Sequence, residues 1–482
     1  MRGQKFQSLP DWVKRLSRFD LSLTLCTVCL LIISVTYING IGEQVQGFLA
    51  NYGTKQIQWI VVGGIACTII AVIDYNYYGH FWWQIYVFGL IMLVSVLLFG
   101  QTINGAKSWI KLGPITLQTA EIAKPCTIVA LSWFASQAHR KLSEFWHVIP
   151  VICIGFLPAF LVGLQPDFGS ASTFIPVTVA VLFVAGIRKR YIIYPILAIA
   201  IMTPILYFLL QDHQKKRIDV FVHPVSHPVA IARGKKLGEK NELPIKCMER
   251  MELMRSPYKY IDELITIKKI ALANGIEHKK ISPILTSRRP DKTLLQEFKN
   301  KNITITKDLY KEKPDVFTSL KQFYLAEGWH ARQSLLSIGS GGLNGKGIGN
   351  STQVRLGFLP QTVSTTDSLY AVIAEEGGFR MGTLVILLEL GLFLSAFRIA
   401  CYAQNAFGKY MAISIAVLFL YHTYINVGMA MGVAPLIGIP LPFISYGGSS
   451  IVSALICIGI LQSIYIHRKG IESAEKLKEL KT

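Results

Sequence analysis

Long apolar runs dominate the chain, and polar residues are confined to the intervals between them. A helix that crosses a bilayer needs about 20 mostly apolar residues. Ten runs approach that length: 21–38, 57–73, 81–99, 119–136, 147–164, 169–187, 191–210, 381–399, 410–431 and 449–466. The pattern predicts an all-α polytopic membrane protein with ten transmembrane helices. Residues 1–210 hold spans one to seven and 381–466 hold spans eight to ten. Residues 211–380 form one large loop between them, and 467–482 form a tail. No small-residue cleavage site follows the first run, so it reads as an anchor that is not removed.

Lysine and arginine in short loops set orientation. With the N-terminus inside, the inner segments carry Arg2, Lys5, Lys14, Arg15, Arg18, Arg140, Lys141, Arg188, Lys189, Arg190, Arg398, Lys409, Arg468 and Lys469. The short outer segments carry Lys55, Lys107 and Lys111. Both termini are therefore expected in the cytoplasm, and the large loop outside. Within that loop, 225–325 reads as a small helical insert. Ser256-Pro257 resembles a helix start, Ile261, Leu264, Ile265, Lys268 and Leu272 follow helical spacing, and Asp291 to Lys301 suits a second helix.

Composition sharpens this picture. Charged residues are only 16% of the chain and hydrophobic ones 51%, yet the net charge is +20. Soluble domains carry roughly 25% charged residues, so a cytosolic enzyme is excluded on composition. Residues 211–332 carry 25 Lys+Arg against 15 Asp+Glu, half of the net excess. That region is either a solvated accessory unit or a surface for anionic lipid heads or polymer. No nucleic-acid-binding motif accompanies the basic charge. Seven of the eight cysteines lie in or beside the spans, as small apolar residues do, and Cys247 stands alone in the loop.

Ionisable residues at membrane depth are candidates for function. Glu121 and Lys124 lie three apart on one helical face; they either neutralise each other or line a polar cavity for a charged substrate. Glu389 is an isolated acid in the eighth run. Asp167 lies in Gln165-Pro166-Asp167-Phe168-Gly169, a turn whose acid suits a helix cap. In the large loop, Ile338 to Gly347 is glycine-rich without the Walker spacing. It allows close backbone approach, with Lys346 as a cation for phosphate. Gln353, Arg355, Asp367 and Ala371 to Glu376 follow as an exposed strip beside the membrane. An acid in such a strip is a general base or a turn residue.

Taken together, these segments resemble the SEDS family of shape, elongation, division and sporulation proteins, which includes RodA, FtsW and SpoVE. The likeness rests on Asn104 to Ile110, Leu117 to Lys124, Gln165 to Ala171, Arg217 with Phe221 and Pro224, Ile338 to Gly347, Gly357 to Pro360, Asp367 to Glu376, and Leu441 to Ser450. It covers about 1–224 and 329–470, leaving out the insert and the tail.

The resemblance implies a ten-helix peptidoglycan glycosyltransferase in the bacterial cytoplasmic membrane. Such an enzyme polymerises lipid II on the outer face and releases undecaprenyl diphosphate. It implies Asp367 as the catalytic base, with Glu121, Lys124, Arg217, Lys346, Gln353, Arg355 and Glu375 holding substrate. It further implies a divalent cation (Mg or Mn), a class B penicillin-binding protein as crosslinking partner within the elongation complex, and membrane lipids around it. Phe358-Leu359-Pro360 and Asn426-Val427-Gly428-Met429 resemble the elongation member more than the division member.

Departures are local. Thr119-Ala120 replaces Pro-Ser, and Ser108 replaces an Arg. Gln361 follows Pro360, Thr365 stands near the place of a His, and Ser368 follows Asp367. A lipid II flippase, a division-specific polymerase and a non-catalytic scaffold are the competing readings. Charged residues inside spans suit the first of these.

Overall fold

The apolar runs are helices wherever the computed structural model describes them, over residues 18–45, 51–103, 106–112, 115–138, 145–188, 327–355, 359 and 361–468. The first membrane half contains α1 (Leu21–Val45), α2 (Tyr52–Val72), α3 (Tyr75–His80), α4 (Trp82–Phe99), α5 (Thr119–Ala138), α6 (Phe145–Gly163), α7 (Phe168–Ser172) and α8 (Phe174–Val184). After the large loop come α9 (Glu327–Ser340), α10 (Thr352–Arg355), α11 (Gln361–Thr365), α12 (Leu369–Tyr402), α13 (Ala406–Ala430) and α14 (Gly448–Ile466). By length and composition α1, α2, α4, α12, α13 and α14 can cross a membrane, and α6 and α7–α8 supply shorter apolar stretches. The expected span 191–210 and the insert 225–325 lie outside the described residues.

Burial sorts these helices. α13 and α14 are buried over 72% and 78% of their apolar windows, whereas α2 and α4 bury 22% each. The former make the centre of the bundle. The latter turn Val61, Ile65, Phe88 and Ile91 outward, as lipid-facing helices do. Close packing relies on missing side chains. A Cβ on Gly459 would stand 2.7 Å from the Cys67 carbonyl, and one on Gly63 would stand 2.5 Å from Leu455. At one end of the bundle, Asp20 caps α1 by accepting from Leu23 N at 2.8 Å. Its carboxylate also pairs with Arg398 of α12, and its own amide donates to Gln462 Oε1 of α14 at 2.7 Å.

Two expectations are corrected. The fold is not all-α: β1 (Gln101–Ile103), β2 (Ala106–Leu112) and β3 (Ile115–Gln118) form a three-stranded antiparallel meander between α4 and α5. Trp109 pairs with Gln118 and Ile110 with Leu117. The strands carry Trp109 and Ile110 in β2 and Ile115 and Thr116 in β3, residue types favoured in sheets.

The second correction concerns 371–376, which is buried helix and not an exposed strip: Glu375 is 0% and Glu376 1% exposed. These residues open α12, which kinks at Gly378 (φ 71, ψ −171) before its long apolar part. The glycine run folds over the kink. Lys346 N donates to Glu375 O at 3.1 Å, Gly347 N to Glu376 O at 2.9 Å, and Phe379 N to Gly342 O at 2.8 Å. A Cβ on Gly345 (φ +78) would overlap the Glu376 carbonyl.

Gly345→Ala therefore lowers stability by roughly 1–3 kcal/mol through backbone strain alone. Gly339→Ala, where nothing stands within 4 Å of the new Cβ, does not. Thermal unfolding midpoints of the two purified variants check the contrast.

Candidate active site

Asp367 sits in the turn between α11 and α12, half-buried. Residues 366–368 are not helical, so their backbone groups need outside partners. The turn first closes on itself, with Thr366 N and Ser368 N donating to Val363 O at 3.2 and 2.9 Å. Three successive carbonyls are then gripped from the C-terminal part of the chain. Thr365 O accepts from Tyr446 N at 2.9 Å. Thr366 O accepts from Ser445 Oγ at 2.7 Å. Asp367 O accepts from Asn426 Nδ2 at 3.1 Å. The Leu441 to Ser450 segment is thus the clamp for the Asp367 turn.

That clamp is itself held. Ser34 Oγ donates to Ile444 O at 2.6 Å, and Phe443, in the left-handed region at φ 57, is buried edge-on against Phe419. Tyr446 stacks on Tyr52 with ring centroids 4.1 Å apart. Burial first, and the neighbouring Tyr52 second, push the Tyr446 phenol up to about 12, so it stays neutral at physiological pH.

A strap, Ile437 to Pro440, walls the carboxylate. A Cβ on Gly438 (φ +74) would stand 3.5 Å from Asp367 Oδ2. On the strap's other contact, Gly169 presses so close that a Cβ there would meet Ile437 O at 2.5 Å. Gly169 belongs to α7, which Asp167 caps as expected: Oδ1 accepts from Ser170 N at 3.0 Å, and Oδ2 accepts from Gln118 Nε2 at 2.8 Å. Segments 165–171 and 367–376 therefore meet at the strap, and 117–124 joins them through the Gln118–Asp167 bond.

Glu121 and Lys124 pair with each other at 2.7 Å, with both side chains almost fully buried. Lys124 Nζ also lies 3.3 Å from His422 Nε2. A cavity of about 20 Å³ adjoins them, lined in part by Ser450, Ser453 and Cys457; that is room for one water. Ser453 Oγ donates to Glu121 O at 2.7 Å, tying α14 to α5.

The loop residues fall differently. Lys346 Nζ is bound to Glu375 Oε1 at 2.6 Å, Ser340 Oγ at 2.8 Å and Thr352 Oγ1 at 3.0 Å. Glu375 accepts further from Ser351 Oγ at 2.6 Å and Thr352 N at 2.9 Å. Glu376 accepts from Ser351 N and Gly349 N, each at 3.1 Å. The two carboxylates fasten the glycine run to α12, and Lys346 is committed to that joint. Gln353 is half-buried, and Arg355 is exposed at the end of α10. Arg217 lies outside the described residues. Sequence reasoning did not single out His422 or Gly438, and it took Asn426 and Ser445 only as parts of motifs. His422 carries a signal of its own, a polar ring four positions before Asn426 on one helical face.

Among the described residues, no His, Cys, Asp and Glu side chains gather in threes that could hold a metal, and Asp167, Glu375 and Glu376 are occupied by protein donors.

Comparison with known proteins shows the family. A family model described as "Cell cycle protein", for FtsW, RodA and SpoVE, matches residues 15–235 and 276–470. The chain is 29% identical over 461 residues to the peptidoglycan glycosyltransferase RodA of Treponema pallidum, covering 94% of this chain and 98% of that one. It is 27% identical over 452 residues to the peptidoglycan glycosyltransferase MrdB of Escherichia coli K12, covering 93% and 94%. A solved structure described as a peptidoglycan synthase complex coordinating polymerization and crosslinking aligns with a TM-score of 0.63 at 18% identity, over 94% of this chain and 99% of that one. At that identity the likeness concerns the fold.

Glu121→Gln leaves the Lys124 ammonium buried without its counter-charge. It is expected to cost roughly 3–5 kcal/mol, with most of the loss recovered when Lys124→Met is added. Unfolding midpoints of the single and double variants in detergent check this.

Proposed function

The chain belongs to the FtsW/RodA/SpoVE family of cell cycle proteins, and we propose that it is a peptidoglycan glycosyltransferase that polymerises lipid II during cell-wall elongation. The observation that carries the reading is the gripped turn of Asp367. Its backbone is held at the three consecutive carbonyls of Thr365, Thr366 and Asp367, and its carboxylate lies beside a glycine strap. Relatives named RodA and MrdB support the elongation role over division.

In this proposal Asp367 accepts the proton of the acceptor sugar's 4-hydroxyl. The oxygen forms a bond to the donor's anomeric carbon. The bond from that carbon to undecaprenyl diphosphate breaks, and the diphosphate leaves with the electron pair. Arg355 and Arg217 are the cations of this chain proposed to meet its charge. A divalent cation enters only as a companion of the diphosphate, a form in which one or two carboxylates suffice, and no step depends on it.

The proposal includes ten spans in the bacterial cytoplasmic membrane, with 191–210 as the seventh. Both termini face the cytoplasm, 467–482 is an inner tail, and 211–380 is an outer loop carrying the insert 225–325. A class B penicillin-binding protein is the proposed partner, in line with the synthase complex that shares the fold. Against a flippase stands the Glu121–Lys124 pair, which is closed on itself beside a cavity of only about 20 Å³.

Glycan chains made from labelled lipid II by the purified protein, alone and with its partner, test the reading. Asp367→Asn is expected to lower the rate by at least about 100-fold while leaving the protein folded. Equal polymer from wild type and Asp367→Asn would remove Asp367 from the chemistry.

A further inference from the structure

We infer that His422 is a positioning residue for Asp367, acting through the strap Ile437 to Pro440. The inference rests on the reading of Asp367 as the base of the polymerase. His422 is buried on α13. Its Nδ1 lies 3.2 Å from the Pro440 carbonyl. A carbonyl only accepts, so Nδ1 carries the hydrogen. Its Nε2 lies 3.3 Å from the Lys124 ammonium. An ammonium only donates, so Nε2 presents its lone pair. Both contacts demand the same tautomer. The Glu121–Lys124 pair thereby fixes which ring nitrogen holds the proton, and the ring delivers that N–H to the strap.

The strap depends on such outside support, because residues 434–441 form neither helix nor strand. His422 and Asn426 are four residues apart and share a face of α13. They grip adjacent carbonyls: Asn426 Nδ2 donates to Ile439 O at 2.8 Å, and His422 donates to Pro440 O. Asn426 also donates to Asp367 O at 3.1 Å. Gly438, two residues before Pro440, faces Asp367 Oδ2. One helix face thus sets both the backbone of the base and the wall against its carboxylate. Without the His422 bond, the Pro440 carbonyl loses its donor, the strap shifts, and the carboxylate keeps its charge but loses its aim. In this inference the His422–Pro440 bond aims the base and does not hold substrate, so the defect belongs in kcat and not in KM.

Two conservative replacements separate the two bonds. In His422→Asn the amide nitrogen stands where Nδ1 stood and keeps the donor to Pro440. In His422→Gln the longer side chain reaches Lys124 with its oxygen and leaves Pro440 without its donor. Steady-state polymerisation of lipid II by the full-length protein is measured for both, with His422→Leu and Asp367→Asn alongside. His422→Asn is expected to keep wild-type kcat. His422→Gln and His422→Leu are expected to lose roughly ten- to hundred-fold in kcat, with KM unchanged. Hydrogen exchange across residues 437–445 is read in parallel by mass spectrometry. It is expected to quicken in His422→Gln and His422→Leu and to stay at wild-type level in His422→Asn.

The inference is overturned if His422→Asn loses as much kcat as His422→Leu, if His422→Gln keeps wild-type kcat, or if exchange in the strap is the same in all variants. It is also overturned if kcat simply follows the melting temperature across the series, which would make the role one of folding. Wild type and Asp367→Asn with equal activity would instead refute the reading of Asp367. The exchange data would still decide whether His422 holds the strap.

Discussion

Asp367 sits in a turn between two helices of an apolar bundle. A turn leaves backbone carbonyls that neither lipid nor apolar packing can satisfy. In this protein the three carbonyls of Thr365, Thr366 and Asp367 find donors in Tyr446, Ser445 and Asn426. Most other features follow from this. The Leu441 to Ser450 segment must itself be rigid, so Phe443 is held at positive φ and Ser34 reaches across from α1. The strap must lie close, so glycine stands at 169 and 438. The helices around it must hold polar side chains at depth, so those side chains come in bonded sets: Glu121 with Lys124 and His422, and Asn426 with two carbonyls.

The same economy governs charge. Three ion pairs among the described residues close locally, whereas the buried Glu389 accepts from Thr423 Oγ1 instead. Lys124 meets Glu121, Lys346 meets Glu375, and Arg398 meets Asp20. Half of the chain's positive excess is concentrated within residues 211–332.

Much of the architecture was legible in the sequence because membrane spans are local: length and apolarity decide them. Helices stand at nine of the ten predicted positions, and the tenth lies outside the described residues. The small sheet was missed because a seven-residue strand such as Ala106–Leu112 has too little periodicity to stand out between long apolar runs. Asp367 was found by its place in a motif, and Asp167 by turn chemistry. Glu121 and Lys124 were found by their spacing, which is a property of one helix. His422 escaped because its partner Lys124 is 298 residues away, and no local pattern encodes that meeting. Glu375 and Glu376 were read as exposed because their cover, the glycine run, becomes a lid only when its positive-φ residues fold back over α12.

The Asp20 staple has a consequence for how the protein is made. Asp20 heads the first helix, yet its partners are 378 and 442 residues downstream, on α12 and α14. A ribosome delivers the chain from one end, so the carboxylate emerges long before Arg398 or Gln462 exists. The staple can close only after Gln462 has been made, and it joins α1 to helices synthesised far later. A chain lacking α14 therefore keeps an incomplete joint at α1, with the Asp20 amide left without the Gln462 acceptor.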